Sequence, residues 1–369
     1  VPLNLERNDS THRAVVQLYQ LVEDSLLRRM GESVERLIEA PDWERMVTLE
    51  IMRLRREAMK AAGMIDSVLP RLTEKALEEA LMIGATDAYA DIKAVLGEEA
   101  AATASLSSAV NHAGMYALAG EMQGDLAKLR HSVLRAADDM YRRTVQVAAA
   151  KTVTGAQAIG GAWRDAARQM AREGLTGFVD DKGRKWKLDT YAEMATRTAT
   201  NRAHMLGHSQ AMIDHGLDLI VVSSHSNPAP QCAPFEGKVL SLTGKHSGRS
   251  KMDNLVDGTT AIVDVKCSLD EAIVKGFRHV NCKHTWSAYV PGTRLPQPEP
   301  DPDHEGYKAT QKQRYYERKI REWRRAEAVA VDKQYKDEAR AKIRHYRQLA
   351  QQNADDNGLR RKKERETLR

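Results

Sequence analysis

Four residues have the types and spacing to do chemistry together: His225, Cys232, Cys282 and His284. Two thiolates and two imidazoles can satisfy a tetrahedral Zn²⁺. Cys282 and His284 are two apart, so on an extended segment both side chains face the same way. His225 and Cys232 flank a Pro-containing stretch that can fold back. The two halves lie 50 residues apart and match no familiar finger, and His279 is a spare candidate. The plainer reading is that the four pack and hydrogen-bond around a turn. A third reading is thiol chemistry, with Cys232 or Cys282 as nucleophile and His279 or His284 as base, because the thiolate is the attacking species. No local signature of a known thiol enzyme accompanies them. With Cys267 the cysteines form an odd set of three, which argues against a disulfide framework and for a reducing compartment. Glu236 and Lys238, on either side of Gly237 before a strand, read as solvated.

The second feature is charge. Residues 308–369 hold 20 Lys/Arg against 10 Asp/Glu, a net of +10. The other 307 residues hold 37 against 41, a net of −4, so the basic character belongs to the tail. A basic segment on a near-neutral body is the footprint of a polyanion contact. Arg314, Arg318, Lys319, Arg321, Arg324 and Arg325 cluster near Tyr315, Tyr316 and Trp323. Arg360, Arg361, Lys362 and Lys363 form a second group. Cations meet phosphates and aromatic rings stack on exposed bases, so nucleic acid is the expected partner. The plain alternative is a solvated helix face.

The elements that must position these groups read as mostly helical. Mean hydropathy is −0.56 and aromatics are 5%, which suits long amphipathic helices with thin apolar stripes. Val15, Leu18, Val22, Leu26, Met30, Val34 and Leu37 predict a helix over 11–39. Pro41-Asp42 starts another, to about Gly63, and Pro70 opens a third, to about Gly97. An alanine-rich helix is expected from Glu98 to about Ala150, with Gly114, Gly120 and Gly124 as breaks, then a shorter one over 154–173. The period changes at Phe178–Leu188, a hairpin around Asp181-Lys182-Gly183. Asp189–His215 is helical. Leu219–Ser223, Lys238–Leu242 and Thr285–Val290 are strands, Leu269–Lys275 is a short helix, and 244–253 reads as a polar loop. Trp186, Tyr191, Phe235 and Trp286 are the expected core of this part. Five prolines in 291–303 make a stiff linker. A single charged helix over 309–352 follows, placed to project away from the body. No run approaches the roughly 20 apolar residues of a membrane span. The start, Val-Pro-Leu-Asn-Leu-Glu-Arg, lacks the layout of a signal peptide, so neither a membrane partner nor a secretory leader is expected.

Several words between Phe178 and Pro291 are specific in combination. They are Phe-Val-Asp-Asp-Lys-Gly-Arg-Lys-Trp (178–186), Tyr-Ala-Glu-Met-Ala-Thr-Arg-Thr (191–198) and Asp-Leu-Ile-Val-Val-Ser-Ser-His (218–225). Cys-Ala-Pro-Phe-Glu-Gly-Lys-Val-Leu-Ser-Leu (232–242) and His-Val-Asn-Cys-Lys-His (279–284) complete them. In that order they resemble the phage minor capsid protein 2 family, part of the wider group of Mu F-like phage head proteins. The family's closing word is similar to His-Pro-Asn-Cys-Arg-His; Val280 and Lys283 replace its proline and arginine and leave Cys282 and His284 in place. The resemblance implies a structural virion component of the phage head, interior or portal-proximal, present in several copies per virion. It implies association with the portal and other head or neck proteins, contact with packaged DNA, and passage through the host cytoplasm during assembly. It implies no enzymatic activity; the alternative is a metal- or thiol-dependent enzyme delivered with the genome. The expected fold class is mainly α with a small α+β domain. The expected layout is an N-terminal helical, partner-docking region (1–174), an α+β domain (175–292), a Pro-rich linker (293–307) and a basic helical tail (308–369).

Overall fold

The structure, a computed structural model, describes residues 12–40, 42–98, 112–154, 156, 158–173, 176–179, 185–225, 227–254, 257–295, 304–330 and 332–367. The fold is mainly α with a small α+β part. The chain divides into two compact units that interleave along the sequence. The first comprises residues 1–14, 71–122 and 194–308, and the second 15–70, 123–193 and 309–369.

Among the described residues, four helices precede the first strand: α1 (Arg13–Glu39), α2 (Trp43–Leu96), α3 (His112–Val153) and α4 (Ile159–Glu173). The helix expected to end near Gly63 and the one expected to begin at Pro70 are one element, α2. Proline lacks an N–H and crowds the preceding turn, yet 27 residues of helix before it and the 26 after it hold the register. The unit boundary falls at this residue. Likewise α3 passes through Gly114, Gly120 and Gly124 without a break, since a helical glycine costs only about 1 kcal/mol and the neighbouring apolar face is buried. Residues 99–111, the first part of the expected alanine-rich helix, lie outside the described residues, as does Gly174 after the shorter helix.

In the second unit, α1 buries Val15, Leu18, Val22, Leu26, Met30, Val34 and Leu37, the stripe expected from spacing, and Tyr19 beside them. Two tyrosines tie that stripe to α3: Tyr19 Oη donates to the Leu126 carbonyl at 3.1 Å, and Tyr141 Oη lies 2.7 Å from Ser33 Oγ. The hairpin β1 (Thr176–Val179) and β2 (Lys185–Lys187) is antiparallel as expected; its turn lies outside the described residues. Trp186 and Tyr191 meet edge to face in this unit, at 5.7 Å, and not in the core of the larger sheet. The expected single charged helix is two, α7 (Glu305–Ala328) and α8 (Lys333–Asp356). Asp332 makes the break: its carboxylate accepts from the Tyr335 N–H at 2.7 Å and caps α8. The two helices fold back on each other, with Asn353 Nδ2 donating to the Ala309 carbonyl and to Gln313 Oε1.

The first unit holds a five-stranded mixed sheet in the order β5-β6-β4-β3-β7. Its strands are β3 (Leu219–Val222), β4 (Val239–Ser241), β5 (Gly248–Asp253), β6 (Thr260–Ser268) and β7 (Trp286–Ala288). Only β4 and β6 pair in parallel. Side chains alternate as a pleat requires. Ile220, Val222, Leu240 and Trp286 face the second half of α2 and helix α5 (Leu188–Asp214), against Ala85, Ala88, Ile92, Met205 and Met212. Leu219, Val239, Val263, Val265 and Tyr289 make the other face. A register shift pairs Val239 with Val265 but Leu240 with Cys267, and this bulge at Lys266 turns Cys267 onto the helix-covered face. Helix α6 (Leu269–Val274) follows directly, with a capping box between Ser268 and Glu271. The segment expected as a polar loop contains β5, an edge strand with a mostly exposed pattern.

Candidate functional site

Cys232, Cys282 and His284 converge. Cys232 sits on the turn leading into a 3₁₀ turn, Ala233–Phe235, whose Phe235 is anchored in the core. Cys282 and His284 lie on the segment entering β7. Phe277, from the turn after α6, packs 5.8 Å from the His284 ring. Arg278 and Asn281 both adopt positive φ (59° and 62°), which bends the 278–282 chain back onto Cys232. Helix α5 holds the outside of that bend. Asn281 N donates to Thr198 Oγ1, and Arg278 donates to the Asn201 carbonyl at 3.0 Å while stacking on Trp286.

The two sulfurs are 3.7 Å apart, and Cys282 Sγ is 3.3 Å from His284 Nδ1. His284 N also donates to Cys282 Sγ at 3.4 Å. The other ring nitrogen, Nε2, is 2.8 Å from Glu236 Oε1. Glu236, expected to be solvated, is 2% exposed and also accepts the His225 backbone N–H at 2.8 Å. Gly237, at φ 65°, makes the tight turn that points Glu236 inward, and its N–H donates to the Val222 carbonyl. His225 does not join the cluster. Its Nε2 is 3.2 Å from the Lys283 carbonyl and its ring lies edge-on to His284, centroids 4.6 Å apart. His279 turns its Nδ1 to the Val280 carbonyl, and Cys267 lies in the sheet core.

Electrostatically the three groups act as one. The hydrogen bond from Cys232 and the adjacent His284 hold the Cys282 thiol well below its ordinary range, against burial. Burial opposes charge on His284, but its bonds to Cys282 and Glu236 push it up. Cys232, which shares its proton with Cys282 and is buried, is pushed far up. The order carboxylate, imidazole, thiolate is that of a nucleophilic triad. Cys232, Cys282 and His284 are all buried, however, so the arrangement suits a small ion better than a substrate.

The basic residues 314–325 are built into the second unit. Arg325 is buried and lies 3.7 Å from Glu23 on α1. Arg321, also buried, donates to the Arg365 carbonyl at 2.7 Å. Arg314 and Lys319 pair with Glu317 and Glu322, each at 2.9 Å. Burial lowers the Arg318 and Arg324 guanidinium pKa values, with Arg321 and Arg347 adding repulsion, although Arg318 keeps an exposed side chain. Arg361 holds Glu366 with two bonds and Gln351 with a third. Arg360 and Lys363 are exposed, and Lys362 is half-buried. Tyr316 and Trp323 are buried, which leaves Tyr315 as the exposed ring of the three. The tail is therefore neither a projecting arm nor a simple solvated face.

No helix among the described residues is long and apolar enough to cross a membrane. A segment of 163 residues is 28% identical to a "Structural protein" of Lactococcus phage LL-H, covering 42% of this chain and 40% of that protein. The chain thus spans less than half the length of that relative. No solved structure matches. The family model for phage minor capsid protein 2 aligns with residues 3–354, taking in the helices, the sheet and most of the basic tail. A match of that extent, running through the convergent cysteines and both interleaved units, makes the chain a member of the phage minor capsid protein 2 family.

Proposed function

We propose that the chain is a structural component of a phage particle, built into the head in several copies beside the portal and touching the packaged DNA. The family match over residues 3–354 carries this reading. The phage relative printed as a structural protein supports it. The DNA contact draws on the tail's net charge of +10 and, among the basic groups singled out in 314–325 and 360–363, on Arg318, Arg360 and Lys363, which stay exposed. The portal contact draws on an exposed row on α2, where Leu49, Met52 and Met59 share one helical face and are each more than half exposed.

Mass spectrometry of gradient-purified particles tests the reading. The chain is expected in DNA-filled heads and in complexes captured with tagged portal protein; its absence from particles that are otherwise complete would end the proposal. Binding to random-sequence duplex DNA should be insensitive to sequence, because phosphate contacts carry no sequence information. With three to five phosphates neutralised, log affinity should fall against log salt with a slope of roughly −3 to −4.5. A flat salt dependence would remove DNA from the partners.

A further inference from the structure

The geometry points to a zinc site with three protein ligands, Cys232 Sγ, Cys282 Sγ and His284 Nδ1, a solvent molecule in the fourth position, and Glu236 as its positioning residue. The three donor atoms already lie within 4.8 Å of one another. Tetrahedral Zn²⁺ with metal–sulfur bonds of about 2.3 Å places two sulfurs about 3.8 Å apart, and a sulfur and an imidazole nitrogen about 3.5 Å apart. The chain places two of these edges at 3.7 and 3.3 Å, close to the tetrahedral values, and holds the third, Cys232 Sγ to His284 Nδ1, within 4.8 Å. A disulfide would instead require the sulfurs to close to about 2.05 Å, and would leave no role for the imidazole nitrogen facing them.

The surroundings of the donors fit a metal as well. Metal-bound histidines usually give their second N–H to a carboxylate, which fixes the tautomer and raises ligand basicity. Glu236 stands at that position, 2.8 Å from Nε2, and so leaves Nδ1 as the donor turned to the sulfurs. The His284 N–H directed at Cys282 Sγ supports a thiolate there. Two thiolates and an imidazole make a soft set that favours Zn²⁺ over Mg²⁺ or Ca²⁺. On binding, any proton still held by the thiols leaves to solvent, and two thiolates balance the dication. His225 is outside the shell, because its Nε2 is turned to the Lys283 carbonyl. The ion would cross-link the 3₁₀ turn before β4 to the segment entering β7, across 50 residues of chain.

The test uses the full chain, purified under reducing conditions, stripped with chelator and reloaded with Zn²⁺ or Co²⁺. One metal per chain is expected, with a thiolate-to-cobalt charge-transfer band and the visible bands of tetrahedral Co²⁺. Cys282→Ala should lose the metal, whereas His225→Ala and Cys267→Ser should keep one per chain. Glu236→Gln should keep the cobalt spectrum and weaken affinity by about 10–100-fold. The cysteines are core residues and their variants can fail to fold, so X-ray absorption on the wild-type zinc form decides independently. It should show two sulfurs near 2.3 Å and one nitrogen near 2.0 Å. Failure of the reduced chain to take up one zinc, a first shell without sulfur, or a Cys232–Cys282 disulfide in protein trapped by alkylation at lysis would each overturn the site. Loss of metal in His225→Ala would overturn the three-ligand assignment.

Discussion

Replacing Gly84 by alanine tests the crossing of α2 and α5, on which the sheet and the cysteine cluster depend. A Cβ at Gly84 would stand 1.8 Å from the His204 carbonyl oxygen and 2.7 Å from its carbon. The same holds in reverse, since a Cβ at Gly207 would stand 2.2 Å from the Leu81 oxygen. Both obstacles are backbone, so no side chain can rotate away. Restoring ordinary van der Waals distance requires the helices to part locally by about 1.5 Å. That would stretch the two buried pairs beside the crossing, His204 Nε2 to Asp87 at 3.2 Å and His208 Nε2 to Asp91 at 3.3 Å. It would also loosen Ala85, Ala88 and Met205 in the core. Overpacking costs about 1–3 kcal/mol, and a backbone obstacle puts this case at or above the top of that range. Alanine returns up to about 1 kcal/mol of helix propensity. The net expectation is a loss of about 2–3 kcal/mol, and about 4–12 °C in the transition of the first unit. Gly63→Ala and Gly120→Ala supply controls of opposite sign, because a Cβ at either meets nothing within 4 Å. Each should gain about 0.5–1 kcal/mol. Calorimetry reads the transitions, and hydrogen exchange over 194–214 assigns the loss to the crossing. A Gly84→Ala protein as stable as Gly120→Ala would refute the close approach.

Glu50 has a fully buried carboxylate bound by Arg36 at 2.7 Å and by Arg53 at 2.5 Å. Glu50→Ala should cost about 1–2 kcal/mol in urea unfolding, and not more, because both arginines are half-exposed and regain water. Glu23→Leu should cost about 3–5 kcal/mol by the same measurement, since it strips a carboxylate from the buried Arg325 guanidinium; a Glu23→Leu, Arg325→Met double variant should recover most of that loss. Burial raises the Asp218 carboxyl, but hydrogen bonds from Ser241, Thr243 and His246 outweigh it and hold it at about 2. Its folded value is depressed, so its stabilisation is fully present above the unfolded value of 3.8 and is lost as pH falls through about 2. Wild type should therefore lose about 1–2 kcal/mol more than Asp218→Asn across that window, after allowance for solvent screening; parallel acid-unfolding curves would disprove the assignment.

What could be read from the sequence, and what could not, divides by the range of the physics involved. The α1 stripe was legible because burial there follows helical spacing alone: Val15, Val22 and Met30 are buried where the period puts them. Strands β3, β4 and β7 were legible from short apolar runs. Strand β5 was not, because Gly248-Arg249-Ser250-Lys251-Met252-Asp253 is an edge strand whose pairing with β6 is its only claim to order, and charged edges are what sheets select. Strand β6 did carry a period-2 signal in Val263, Val265 and Cys267, which the polar segments on either side obscured. The approach of Cys232 to Cys282 was visible as residue types, and Cys282 with His284 as spacing, but His225 shares their chemistry without sharing their space. Glu236 was missed for the converse reason. A lone glutamate beside Gly-Lys reads as solvated until the turn at Gly237 points it at His284. The arginines show the same limit. Charge counts treat Arg318 and Arg325 alike, yet one side chain is exposed and the other is buried against Glu23. Composition supplies the net charge of a segment. Only the fold decides which cations remain for a polyanion, and a salt slope of roughly −3 to −4.5, rather than the far steeper one that all 20 tail cations would give, would be the measurable trace of that decision.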